Sequence, residues 1–177
     1  MNLFEIQILK YIHGAISCGA LDAVFAAASF LGNSGAIWII IAAVMLIFPK
    51  TRRCGICMSV ALIMCLVFGN LLLKPLAARI RPFDVDPSLA VIIKKPTDFS
   101  FPSGHTFSSF AGAVTIRHHF RRGGIAALVF ACVVAFSRIY LCVHYPSDVL
   151  FGAVMGTFLA YVSNIICAKF IFKGEQI

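Results

Sequence analysis

The sequence is poor in charged residues, and above all in acidic ones. Of its 177 residues, 15 are Lys or Arg and only 7 are Asp or Glu, so charged residues make up 12% of the chain. Soluble domains carry roughly 25%, whereas 60% of this chain is hydrophobic. This composition excludes an ordinary soluble enzyme, a disordered chain and a nucleic-acid-binding module. It predicts a single integral-membrane domain over residues 1–177.

The seven cysteines show no pattern of a disulfide framework, because their number is odd and most lie in apolar runs. Cys54 and Cys57 form a CxxC pair, but a second pair and a nearby histidine are both missing from the sequence around them. We therefore predict buried free thiols and no zinc site.

Long apolar stretches predict membrane-spanning helices, each of which needs about 20 mostly apolar residues. Five uncharged stretches approach this length: residues 23–48, 54–73, 99–116, 123–137 and 149–168. The first contains a turn signal at Gly32-Asn33-Ser34, so its second half forms one helix and its first half joins the apolar residues of 3–21. The sequence thus predicts an all-α bundle of about six transmembrane helices. The alternative is five, with the N-terminal segment lying on the membrane surface as an amphipathic helix.

Basic residues cluster in turns that six alternating helices would bring to one face. They are Lys50, Arg52, Arg53, Arg117, Arg121, Arg122, Lys169 and Lys173, with Glu175 as the one acid among them. Because Lys and Arg favour the cytoplasmic side of a membrane, we expect this face and the N-terminus in the cytoplasm. The opposite face holds the longest loop, about residues 74–100.

Polar residues inside such an apolar chain are costly and therefore mark functional candidates. They concentrate at the ends of four predicted helices: Lys74, Arg81, Ser103, His105, Arg138, His144 and Asp148. Successive helices alternate in direction, so the end of the third, the start of the fourth, the end of the fifth and the start of the sixth share one face. We expect these residues to converge on the non-cytoplasmic side.

The residue types in this group suit a phosphate ester. Lys and Arg offer many donors to phosphate oxygens, and the residues 102–105, Pro-Ser-Gly-His, predict a helix start whose free amide groups favour an anion. His144 and Asp148 are four residues apart, so on a helix the carboxylate could hold one ring nitrogen protonated and leave the other as a nucleophile. His105 would protonate the leaving oxygen. Nothing in this set requires a metal or a cofactor.

These clusters resemble the signature of the type 2 phosphatidic acid phosphatase superfamily, which also includes vanadium haloperoxidases. Lys74 with Arg81-Pro82 fits K-x6-RP, residues 102–105 fit PSGH, and Ser137-Arg138 with His144 and Asp148 fits SR-x5-H-x3-D. No signature position departs from the pattern. The six-helix layout extends the resemblance to nearly the whole chain, and it is most similar to the compact bacterial group of the family.

The resemblance implies a metal-independent phosphatase without a cofactor. His144 would attack phosphorus to form a phosphohistidine intermediate, Asp148 would orient it, and His105 would act as the general acid. The phosphoryl oxygens would be held by the remaining signature residues: Lys74, Arg81, Ser103, Gly104 and Arg138.

The motifs recognise a phosphoryl group rather than a lipid tail, so the substrate stays open. Undecaprenyl diphosphate is the first candidate, because a compact extracytoplasmic site fits recycling of that carrier; phosphatidylglycerophosphate, phosphatidate and diacylglycerol diphosphate are alternatives. We expect a lipid phosphate substrate and membrane lipids as partners, no nucleic acid, and a multi-pass location in the plasma membrane. A membrane carrier with charges along an ion path is the remaining alternative. The oligomeric state stays open.

The loop of residues 83–101 contains an apolar segment, residues 89–93. One hypothesis is that this segment dips into the membrane interface beside the lipid entrance. The equal alternative is that it packs on the helix bundle.

Overall fold

A computed structural model of the chain describes residues 3–173, and within that range every regular element is helical. The helices are α1 Leu3–Ile16, α2 Gly19–Leu31, α3 Ala36–Ile47, α4 Arg52–Met64, α5 Lys74–Ala77, α6 Pro82–Val85, α7 Gly104–His119, α8 Arg121–Tyr140 and α9 Pro146–Ile166. A 3₁₀ turn, Asn33–Gly35, joins α2 to α3, and π-helical segments, Cys65–Leu73 and Cys167–Ile171, continue α4 and α9. The all-α fold class is confirmed.

Three helical segments are long and apolar enough to cross a membrane: Arg52–Val85, Arg121–Tyr140 and Pro146–Ile171. The pair α2 and α3 qualifies as a fourth if it is counted as one span bent by 45°. The 16 residues of α7 are mostly buried, because this helix packs against α4, α8 and α9 in the centre of the bundle. Large apolar side chains cover the outside. The chain is therefore a multi-pass membrane helix bundle, and the predicted number of six helices is approximate.

The predicted turn after α2 is present, but it bends a span instead of reversing it. Ser34 and Gly35 both have positive φ, 53° and 67°, a conformation that glycine adopts at little cost. Near the start of α2, Asp22 accepts a hydrogen bond of 2.6 Å from the Tyr140 hydroxyl at the end of α8. At the far end of α3, Ala42 and its neighbours lie against Gly55 near the start of α4. Thus α2 and α3 run in the same sense.

The first helix lies across the end of the bundle opposite the basic turns. Glu5 pairs with Arg79 at 2.6 Å, and Lys10 pairs with Asp86 at 2.7 Å. The expectation that the N-terminal segment shares the face of the basic turns was therefore wrong. Its 14 residues span only about 21 Å, less than the roughly 30 Å of a bilayer core, and both ion-pair partners belong to the loop side. In the five-helix alternative the N-terminal segment likewise does not span the membrane.

The basic turns do meet at one end, as predicted. The Arg53 guanidinium lies 5.3 Å from the ring centroid of Phe172, and His119 Nε2 is 2.9 Å from Asn164 Oδ1. Glu175 lies outside the described residues. All seven cysteines are free, and most are buried.

Small residues let α9 and α3 pack closely on α7, the helix that carries the predicted site residues Gly104 and His105. A Cβ atom on Gly156 would come within 2.4 Å of the Phe107 carbonyl oxygen, and one on Gly112 within 2.4 Å of the Trp38 ring. The Trp38 indole donates a hydrogen bond of 2.9 Å to Ser109 Oγ. These contacts fix the central helix and so the start of α7.

Candidate active site

The predicted site residues converge on one cavity of about 1340 Å³. Those that line it are Lys74, Arg81, Gly104, His105, Arg138 and His144. The other two are buried beside it: Ser103 Oγ lies 3.0 Å from Thr106 Oγ1, and Asp148 Oδ2 lies 3.6 Å from His144 Nδ1. Four separate helix ends thus supply one site, as the alternation of helix directions predicted.

The segment after α4 places Lys74 and Arg81 differently from the prediction. Lys74 was expected to follow the third helix, but it lies within a continuous helical run, as the first residue of α5. The run ends at Ala78, whose left-handed conformation (φ 43°) turns the chain back. Arg81 then stands directly before Pro82, which begins α6.

The start of α7 also differs in detail. The helix begins at Gly104 with Ser103 as its N-cap, so Pro102 precedes the helix rather than occupying its first position. Space around Gly104 is limited, because a Cβ atom there would lie 3.2 Å from the side-chain oxygen Oδ1 of Asn70. On the first turn of α7, His105 Nε2 is 3.0 Å from Asn33 Oδ1 in the bend between α2 and α3.

His144 lies in the turn between α8 and α9, not on a helix with Asp148 as predicted. The amide groups of Val143 and His144 both donate to the Arg138 carbonyl, at 3.2 and 3.3 Å, and this fold-back brings the His144 ring over the cavity. Asp148 lies in the first turn of α9. His144 and Asp148 are four residues apart, but one lies in a turn and the other in a helix. Their side chains nevertheless lie close together.

The two ring nitrogens of His144 face different partners. Nδ1 is 3.6 Å from Asp148 Oδ2, slightly too far for a hydrogen bond, and Nε2 is 3.3 Å from Arg81 Nη1. Burial, and then the charges of Arg81, Arg138 and Lys74, hold the pKa of His144 well below its usual range. The imidazole is therefore neutral at physiological pH.

Asp148 is completely buried and is held by residues that the sequence did not single out. Its Oδ2 accepts hydrogen bonds from the Ser100 hydroxyl at 2.5 Å and from the Tyr145 amide at 3.0 Å. Its Oδ1 accepts one from Arg79 Nη1 at 2.5 Å. The one signal that could have drawn attention to Arg79 is its presence as a further cation inside the K-x6-RP segment.

Arg79 also connects the site to α1. Its Nη2 lies 2.6 Å from Glu5 Oε2, and Glu5 Oε1 accepts a hydrogen bond of 2.8 Å from the Ser147 amide. The guanidinium lies 3.9 Å from the centroid of the Tyr145 ring, in a cation–π contact. The first helix is thus part of the structure that holds Asp148.

Asp98 is a second unpredicted residue, and it contacts two of the proposed phosphate-binding cations. Its Oδ2 pairs with Lys74, and its Oδ1 accepts a hydrogen bond of 2.7 Å from Arg81 Nη2. Burial alone would raise the pKa of Asp98, but the hydrogen bonds and charges of Lys74 and Arg81 lower it to about 2.

Arg138 keeps an unused donor beside the cavity. One Nη donates to Ser29 Oγ, whereas Nε is buried and, among residues 3–173, meets no hydrogen-bond acceptor. The Nδ1 atom of His144 is likewise unpartnered there. A buried donor without an acceptor is costly, so the Nε of Arg138 favours an anionic ligand in the cavity.

The apolar segment 89–93 packs mainly on the bundle, which was the alternative to an interface-dipping loop. Leu89 is buried against Ile6, Leu9 and Tyr145. Val91 and Ile93 pack on a cluster that includes Tyr140, and only Ile92 is exposed among the large side chains of this segment. Residues 93–98 nevertheless border the cavity mouth.

Comparison with known proteins gives a consistent picture. The family model described as the PAP2 superfamily matches residues 54–171. An undecaprenyl-diphosphatase from Sulfolobus acidocaldarius is 34% identical over 128 residues, 72% of this chain and 62% of the relative. Phosphatidylglycerophosphatase B from Bacillus subtilis is 33% identical over 140 residues, 70% of this chain and 63% of the relative. The chain spans about three fifths of the length of the curated relatives it matches.

A solved structure shares the fold over almost the whole chain. It is a transmembrane PAP2 type phosphatidylglycerolphosphate phosphatase from Bacillus subtilis, with a TM-score of 0.76 and 27% identity. The similarity covers 94% of this chain and 86% of that one.

Proposed function

This chain belongs to the PAP2 superfamily, and we propose that it is a membrane-embedded phosphatase that cleaves a lipid phosphate or diphosphate through a phosphohistidine intermediate. The observation that carries this proposal is the setting of His144. Its Nε2 faces the cation Arg81, and its Nδ1 faces the buried carboxylate of Asp148. That is the arrangement in which one nitrogen can attack while the other keeps its proton.

The first step forms a bond between His144 Nε2 and phosphorus while the bond from phosphorus to the leaving oxygen breaks. His105 lines the same cavity, where burial and then the charge of Arg138 lower the pKa of its imidazole. The anionic substrate offsets these effects and lets the ring enter as an imidazolium, which gives its proton to that oxygen. In the second step water attacks phosphorus, the P–N bond breaks, and His105 takes the proton from the water. Asp148 stabilises the positive charge that develops on the ring of His144.

The phosphoryl oxygens gather negative charge in the transition state, and fixed donors stabilise that charge best. Lys74, Arg81 and Arg138 supply three cations, Ser103 supplies a hydroxyl, and Gly104 supplies an amide at the start of α7. This set offers enough positive charge for phosphoryl transfer by itself. We therefore propose a mechanism that is independent of metal ions.

The first candidate substrate is undecaprenyl diphosphate, which would be cleaved to undecaprenyl phosphate. It is supported by the relative from Sulfolobus acidocaldarius, which bears the name undecaprenyl-diphosphatase. The cavity also has an apolar arm between α3 and α4, suited to a hydrocarbon chain. It is lined there by Ile39, Ala43, Leu46, Leu62 and Leu66. Phosphatidylglycerophosphate is the second candidate, since the solved structure with 27% identity bears that activity in its name.

We place the site on the extracytoplasmic face of the plasma membrane. The basic turns lie at the opposite end of the bundle from the cavity, and basic turns favour the cytoplasm. A lipid whose phosphate lies at the outer headgroup level would then reach the cavity directly.

The test is phosphate release by the purified protein in detergent. The substrates are undecaprenyl diphosphate, phosphatidylglycerophosphate, phosphatidate and a soluble phosphate ester, each with and without a chelator. His144→Ala should abolish release from all of them while the protein stays folded. The matched control is His118→Ala, because His118 is exposed at the basic end. Activity that survives His144→Ala would overturn the assigned nucleophile, and strong inhibition by the chelator would overturn the metal-independent mechanism.

A further inference from the structure

Asp98 occupies the donors that a phosphoryl group would need. Arg81 uses Nη2 for Asp98 Oδ1 and Nε for the Asp98 carbonyl oxygen, each at 2.7 Å, while Lys74 binds Asp98 Oδ2. The remaining Nη1 of Arg81 is directed to the Val143 carbonyl and to His144. Arginine has five N–H groups, so little of its donor capacity is left for a substrate while Asp98 stays in place.

A carboxylate and a phosphoryl group compete for the same chemistry. Both are anions that accept charge-assisted hydrogen bonds from Lys and Arg, and both can accept two parallel bonds from one guanidinium. Asp98 in this position therefore resembles a bound phosphoryl group. By contrast, the buried Nε of Arg138 has no acceptor among the described residues, so an incoming phosphoryl group can engage Arg138 first.

Asp98 is also placed so that it can leave. Its side chain is 53% exposed, whereas the side chains of Lys74 and Arg81 are 11% and 3% exposed. It lies in the loop between α6 and α7, outside any helix. Because the pKa of Asp98 is lowered to about 2, the carboxylate stays charged at physiological pH. It therefore cannot release Lys74 and Arg81 by taking up a proton. Displacement has to come from another anion.

We propose that Asp98 is an internal competitor of the phosphoryl group, which gives up Lys74 and Arg81 when substrate binds and reclaims them when phosphate leaves. This inference rests on the proposed function of the site. It adds a determinant of phosphate affinity that lies outside the family signature. The expected consequence is weak product binding and fast release, since the departing phosphate is replaced by a carboxylate already tethered beside it.

The test is inhibition by inorganic phosphate and by orthovanadate, measured on a soluble phosphate ester. Asp98→Asn removes the charge but keeps the size, so both inhibitors should bind at least about tenfold more tightly, or about 1.4 kcal/mol. The KM should fall in parallel, and kcat should fall as phosphate release becomes slow. Asp98→Ser serves as a second neutral variant. The matched control is Asp84→Asn, because Asp84 is an exposed carboxylate of α6 that does not line the cavity.

The sign of the change distinguishes competition from a structural role. If Asp98 only held Lys74 and Arg81 in position, both neutral variants would bind phosphate and vanadate more weakly. Unchanged or weaker inhibition in folded Asp98→Asn and Asp98→Ser, with a thermal unfolding temperature near that of the wild type, would overturn the inference alone. A wild-type protein that neither releases phosphate nor binds vanadate would overturn the proposed function, and this inference with it.

Discussion

The substitution Arg79→Gln tests whether Arg79 holds Asp148 in position without itself contributing to phosphate binding. Arg79 donates to Asp148 Oδ1 at 2.5 Å and to Ser147 Oγ at 2.7 Å. Asp148 is completely buried, so without Arg79 its charge would keep only the two neutral donors on Oδ2. Breaking a buried ion pair costs roughly 3–5 kcal/mol. Because the Arg79 side chain is 24% exposed, we discount this to about 2 kcal/mol.

The kinetic consequence should appear in kcat. Asp148 faces Nδ1 of His144 and does not line the cavity, so its displacement should disturb the proposed nucleophile but leave the proposed phosphate-binding cations in place. A loss of about 2 kcal/mol expressed fully in the transition state lowers kcat roughly thirtyfold. The KM for a soluble phosphate ester and the inhibition by orthovanadate should both stay near their wild-type values.

The assay combines steady-state kinetics, vanadate inhibition and thermal unfolding in detergent. Arg122→Gln is the matched control, because Arg122 is exposed at the basic end. Glu5→Gln should have a smaller effect, since Arg79 would still hold Asp148. Unchanged kcat in Arg79→Gln, or a thirtyfold loss accompanied by an equal loss of vanadate affinity, would refute the positioning role.

Three further changes test the fold and the cavity. Ala43→Phe should block the apolar arm and impair lipid substrates more than a soluble ester, whereas Ala126→Phe on the exposed face of α8 should impair neither. Gly156→Ala should lower the free energy of unfolding by about 1–3 kcal/mol, and with it the unfolding temperature. Gly123→Ala, whose Cβ would meet ordinary contacts at 3.8 Å, should not. The pKa of His144 is lower in the folded protein than its unfolded value of about 6.5. Its contribution to stability is therefore present above pH 6.5 and is lost as the pH falls below that value. His144→Asn should flatten this loss of stability at acid pH in unfolding measurements.

The site was largely predictable because its residues lie at helix ends. The length of an apolar stretch indicates where a membrane helix ends. Because successive helices alternate in direction, it also follows which helix ends lie on the same face. Arg138 in the last turn of α8 and His144 before α9 follow from this alone. The spacing of His144 and Asp148 gave the correct proximity through a wrong local structure, since a turn before a helix brings the two side chains together as well as a helix does.

The residues that sequence reasoning missed depend on contacts without local periodicity. Glu5 and Arg79 are 74 positions apart, and Asp98 meets Arg81 across an irregular loop. A turn signal such as Gly32-Asn33-Ser34 marks a break but does not say whether the chain reverses or bends. The position of α1 was missed for the same reason, because its ion pairs with the loop side decide where it lies.

The few acidic residues of the chain are unevenly distributed between the two ends of the bundle. All those that the structure describes are at the cavity end of the bundle, where Asp98 neutralises Lys74 and Arg81 and where Glu5 and Asp148 share Arg79. The uncompensated positive charge of the chain therefore belongs mainly to the opposite face. A field from that face reaches the cavity only weakly, because most of those charges are exposed to solvent, which screens them, and lie at the far side of a bilayer core of roughly 30 Å. In the proposed function, recognition of a phosphoryl group then depends on short-range donors, and Arg138 offers the one buried guanidinium donor that has no acceptor within residues 3–173.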